Sequence, residues 1–139
     1  MVEISGENRQ KLIKHLENMI SRTLRRREKV TTLDYQRREF YSGTLAALDW
    51  WMSFLTKPVR RQRQSIRTWR PKSMFLNVLN REIEKTANAI ERFEHELDTT
   101  PYSDRHHGLH VNISYNRGVQ AATEAVRDTA EEILKRRKS

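Results

Sequence analysis

His106, His107 and His110 crowd into the run DRHHGLH with Asp104 beside them, the one group of side chains in this chain whose types suit a metal ion. Imidazoles four residues apart on a helix can share zinc, as in the HExxH pattern. Here the Glu of that pattern is missing between His106 and His110, and Gly108 weakens a helix at that point. The expectation is a polar loop from Pro101 to Val111 and no metal. A di-iron site would need Glu-x-x-His pairs directed into a bundle core. Leu12 and Arg92 stand three residues before His15 and His95, so that chemistry is not expected either. No Gly-rich phosphate loop or nucleophile elbow is present, and Ser, Asp and His are never grouped as a triad. The chain is therefore expected to bind rather than catalyse, with no catalytic residue and no cofactor.

What it would bind is indicated by charge. The stretch KPVRRQRQSIRTWRPK carries Lys57, Arg60, Arg61, Arg63, Arg67, Arg70 and Lys72, with prolines at 58 and 71 and no acid anywhere from Trp50 to Arg81. Such a local field favours a polyanion, either the phosphate backbone of nucleic acid or an acidic protein surface. Arginine makes up 19 of the 27 cations behind the formal charge of +9. Its planar fork suits phosphate and carboxylate. Trp69, among these cations, either stacks on a base or a guanidinium or anchors the segment to the fold.

The elements that position these groups follow from periodicity. With 139 residues the chain is one domain that can bury a core without staples, and it contains no cysteine for a disulfide or a thiolate metal site. Leu12, Ile13, Leu16, Met19, Ile20 and Leu24 mark a first helix from Ser5 to about Lys29, with Arg22, Arg25, Arg26 and Arg27 near its negative dipole end. A second helix, capped by Thr31 or Thr32 with Asp34 in its first turn, turns Leu33, Tyr41, Leu45, Leu48, Met52 and Leu55 inward as far as Pro58. Trp50 and Trp51 point about 100° apart, so only one fits squarely in the core. A third helix from Pro71 or Ser73 shows Phe75, Leu79, Ile83, Ala87, Ile90, Phe93 and Leu97, and opposes them with the acids Glu82, Glu84, Glu91, Glu94, Glu96 and Asp98. A fourth, from Asn112 or Ser114 to Lys135, shows Tyr115, Val119, Ala122, Val126, Ile133 and Leu134.

Phe40 to Asp49, FYSGTLAALD, and Tyr115 to Glu124, YNRGVQAATE, share the pattern aromatic-x-x-Gly-x-x-Ala-Ala-x-acid. A glycine inside a helix costs about 1 kcal/mol relative to alanine, so Gly43 and Gly118 in matching frames imply a packing need, the close approach of a neighbouring helix. The fold expected is all-α, a four-helix bundle. Two helical hairpins, 5–56 and 72–137, would be joined by the basic connector 57–72.

The segment REFYSGTLAALDWWMSFL resembles helices of small bacteriophage proteins, over about eighteen residues and without a motif that transfers a site. That resemblance implies a phage particle or its packaging machinery as the setting. The function expected is a structural or adaptor subunit of a nucleic-acid-containing assembly. The alternative is a free-standing module that binds nucleic acid without sequence preference, since no helix-turn-helix, zinc-finger or RNP signature occurs. No apolar run reaches the roughly 18 residues of a membrane span and MVEISGENRQ has no signal-peptide core, so the expected location is the cytoplasm, or the virion of a phage.

Overall fold

The computed structural model describes residues 6–31, 33–56, 71–100 and 105–136, which form four helices and no strand. They are α1 (Gly6–Glu28), α2 (Tyr35–Thr56), α3 (Pro71–Thr99) and α4 (Arg105–Arg136). The chain is an all-α four-helix bundle.

Within each hairpin the helices run antiparallel. Arg9 of α1 donates to the carbonyl of Leu55 near the end of α2 (3.2 Å), and Arg105 and Arg117 of α4 reach back to Glu96 and Glu94 of α3. Between the hairpins, α2 and α4 make the most extensive contact and run parallel: Tyr35 meets His107, Thr44 meets Gly118, and Trp51 meets Thr123.

The parallel pair is close because its meeting faces are made of small residues. A Cβ built on Gly43 falls against the carbonyl group of Tyr115, 2.9 Å from its carbon. One built on Gly118 falls against the carbonyl group of Phe40, 2.9 Å from its carbon and 2.9 Å from the Thr44 nitrogen. Ala47 and Ala122 are buried beside them. The Thr44 hydroxyl donates both to Phe40 of its own helix (2.9 Å) and to the carbonyl of Gly118 across the crossing (3.2 Å).

The internal repeat extends well beyond the ten residues that reveal it. The buried positions of α2 are Gly43, Ala47, Leu48, Trp51 and Leu55. Adding 75, the step from Gly43 to Gly118, leads to Gly118, Ala122, Thr123, Val126 and Ala130, all of them buried. The outer helices match with a step of 63: Leu12 with Phe75, Leu16 with Leu79, Thr23 with Thr86, again all buried. Thr23 and Thr86 also bond alike, each hydroxyl donating to the carbonyl four residues back at 2.7 and 2.6 Å. The bundle is thus two similar hairpins packed about an approximate twofold axis parallel to α2 and α4.

Several local expectations need correction. The cap of α2 is Asp34 rather than Thr31, while Thr32 lies outside the described residues: the Asp34 carboxylate accepts from the Arg37 N–H at 3.2 Å, and Asp34 N itself bonds the Thr31 carbonyl at 3.1 Å, which closes a turn ahead of the helix. Leu33 sits in that turn, 91% exposed, and not on the inward face. That face is also rotated from the one the large apolar residues suggest, because Tyr41, Leu45 and Met52 are only partly buried while Gly43, Ala47 and Trp51 are buried. Finally, no loop extends to Val111. α4 begins at Arg105, because Leu109 and Ile113 continue its buried stripe one turn after another, and their burial outweighs the weakness of Gly108.

The cap assignment predicts that Asp34→Ala costs about 1 kcal/mol in urea denaturation. Thr31→Ala should be close to neutral, and a larger loss for Thr31 than for Asp34 would contradict the assignment.

Candidate nucleic-acid interface

The connector residues Lys57, Arg60, Arg61, Arg63, Arg67, Trp69 and Arg70 lie outside the described residues, and Lys72 falls in the first turn of α3. The two helix ends that the connector joins are neighbours. Phe54, near the end of α2, stacks on Phe75, near the start of α3, with ring centroids 5.6 Å apart, and Trp51 meets the Phe75 ring edge-on at 6.1 Å. This aromatic group occupies the end of the bundle opposite the α1–α2 turn.

At the other end the structure sets out a second basic group. Arg22, Arg25, Arg26 and Arg27 occupy the last two turns of α1, followed by Lys29, and all five are exposed. The C-terminal end of a helix dipole favours cations by about 0.3–1 kcal/mol each at an exposed site, which accounts for their position without requiring a partner. Their environment is less ordinary. Among the described residues no carboxylate lies within ion-pair distance of any of the five.

The second hairpin is treated differently. Glu94 and Glu96, part of the acidic side of α3, pair with Arg117 (2.6 Å) and Arg105 (2.8 Å) of α4, and Arg127 is held by Asp128 and Glu131. Such exposed pairs contribute little stability, but they do cancel field. The described acids of α3 therefore partly neutralise the arginines of their own hairpin, while those at the end of α1 remain uncompensated. Periodicity does not show this, because which acid meets which arginine depends on the order of the helices in space.

The histidines are placed on α4 and do not converge. His106 Nε2 donates to the Thr100 carbonyl at 2.8 Å, and the His107 ring packs on Tyr35 with centroids 4.4 Å apart. Asp104 is outside the described residues, and among the described residues no group of three or more His, Asp or Glu is arranged to hold a metal ion. Gly43 and Gly118 lie at the α2/α4 crossing, as described above. Of the adjacent tryptophans, Trp51 is buried at 1% exposure and donates to the Thr123 hydroxyl (3.1 Å), whereas Trp50 is 50% exposed.

Among the described residues no helix is long and apolar enough to cross a membrane. Comparison of the chain with protein-family models, with curated proteins and with solved structures gives no match.

Proposed function

We propose that this chain is a non-enzymatic subunit of a nucleic-acid-containing assembly and that it binds the phosphate backbone through its arginines. The observation that carries this reading is the cluster Arg22, Arg25, Arg26 and Arg27, exposed and without acidic partners among the described residues, in a chain that also has an acid-free connector of seven cations. Like charges held this close repel one another, and a polyanion relieves that repulsion while releasing its own counterions. Assemblies that package nucleic acid, such as a phage particle, present phosphates at the required density. Trp50, half exposed beside buried Trp51, supplies an aromatic contact of the kind concentrated at protein interfaces, which favours a subunit over a free-standing module.

The test is the salt dependence of binding to duplex DNA. With about five phosphates contacted, log affinity should fall with log salt at a slope near −4 to −5. Replacing Arg22, Arg25, Arg26 and Arg27 by glutamine should weaken binding evenly across sequences and flatten the slope by roughly 3 units. The companion variant with Arg60, Arg61, Arg63 and Arg67 replaced reports the share of the connector. A wild-type protein that binds neither DNA nor RNA at about 50 mM salt overturns the proposal, since phosphate contacts are strongest at low salt.

A further inference from the structure

The approximate twofold gives the bundle two equivalent clefts, one on each side of the α2/α4 pair, and they differ in a way that identifies a ligand. The cleft on the α1 side has a volume of about 310 Å³ and the one on the α3 side about 360 Å³. Their walls correspond under the steps of 63 and 75 residues: Arg22 with Lys85, Met19 with Glu82, Thr44 with Val119, Ala122 with Ala47, Ala125 with Trp50. Two equivalent surfaces on one fold serve as each other's control.

The α3-side cleft is electrically balanced, with Glu82 beside Lys85, and the Trp50 indole forms part of its wall. The α1-side cleft carries two cations, Arg22 and Arg26, one helical turn or about 6 Å apart along the axis, and no acid. Where its counterpart has Trp50 it has only the methyl of Ala125. Its remaining walls include Phe40 and Tyr41, whose ring centroids lie 5.8 Å apart, edge to face. A cleft of this volume lined by two aromatic residues, and flanked by guanidinium groups that meet no carboxylate among the described residues, suits a planar ring carried on an anionic chain.

We infer that the α1-side cleft receives an unpaired base of single-stranded nucleic acid against Phe40 and Tyr41, while Arg22 and Arg26 hold the adjoining phosphates. This rests on the phosphate-binding reading above and adds the strand form and the site. A duplex keeps the faces of its bases stacked and can offer the cleft only phosphates, whereas a single strand offers both groups at once. A base stacked on an aromatic side chain contributes enough affinity to distinguish the two forms by about tenfold or more.

The experiment compares fluorescence anisotropy of oligo(dT) and oligo(U), about 12 nucleotides long, with a duplex of equal length at about 50 mM salt. Wild type should prefer the single strands by about tenfold. Ala125→Trp installs in the basic cleft the side chain that its counterpart already accommodates, and it should remove that preference while duplex affinity and helix content stay unchanged. Tyr41→Ala should act in the same direction, and it carries the test should Ala125→Trp fail to fold. Lys85→Gln, in the balanced cleft, should change neither affinity. Equal affinity for single strand and duplex, or a preference that survives both cleft variants, overturns the cleft and leaves the phosphate-binding reading standing. Failure to bind any of the polymers overturns both, and polyglutamate bound more tightly than oligo(dT) assigns the cleft to an acidic protein segment instead.

Discussion

Gly43→Ala and Gly118→Ala should each destabilise the protein by roughly 1–3 kcal/mol, although alanine is the better helix former. Propensity by itself favours alanine inside a helix by about 1 kcal/mol, so the expected sign comes entirely from packing. The methyl group at either position meets main-chain atoms of the opposite helix, 2.9 Å from the Tyr115 carbonyl carbon in one case and from the Phe40 carbonyl carbon in the other. A flexible side chain could rotate away from such a contact, but a helix backbone can only move as a unit, carrying with it the Thr44 to Gly118 hydrogen bond. Both sites lie in one interface, so once the helices have separated for the first methyl the second finds room. The double variant should therefore lose less than the sum of the single losses. Gly108 is the internal control: it is helical and exposed, and a Cβ there has no atom within 4 Å. Gly108→Ala should raise stability by about 0.5–1 kcal/mol. Urea denaturation of the four variants decides the matter, and stabilisation by either crossing substitution would mean that α2 and α4 do not meet there.

Trp51→Ala should cost about 3–5 kcal/mol, the largest loss expected from a single truncation in this chain. Trp51 is 1% exposed, meets Phe75 and its neighbours Trp50 and Phe54 through its ring, and places its indole N–H on the Thr123 hydroxyl. Removing it opens a cavity between α2, α3 and α4, with little prospect of collapse around rigid ring neighbours. Thr123 keeps its own bond to the Val119 carbonyl (2.8 Å), so the loss is mainly one of packing. Trp50→Ala, one residue away, should cost only about 1 kcal/mol, because half of that ring is already in water. The contrast is the informative measurement. Comparable losses, or a greater one for Trp50, would place the wrong tryptophan in the core.

Much of this was legible in the residues. Leucine and isoleucine at intervals of three and four identify each helix because a helix returns the same face to the core every 3.6 residues, and adjacent tryptophans 100° apart cannot both be buried. The matched frames of Gly43 and Gly118 point to a close crossing, since a helix does not carry glycine without a reason of packing. The acid-free run through the connector is equally plain from residue types alone.

The direction of α2 relative to α4, the rotation of α2 and the separation of matched from unmatched charge belong to the tertiary structure. Hydrophobic periodicity records large apolar side chains, so it turns Tyr41, Leu45 and Met52 inward. At the α2/α4 crossing the contact is instead made by Gly43, Ala47, Gly118 and Ala122, which register weakly on any such scale but let two backbones touch. Likewise, six acids on α3 and five cations ending α1 look like surfaces that could balance one another. Glu94 and Glu96 pair with α4 because α3 and α4 pack side by side and antiparallel, and the arginines ending α1 stay unpaired because none of the described carboxylates comes within ion-pair range of them. Local sequence determines which residues are able to form a face, but only the packing of distant helices decides what that face meets.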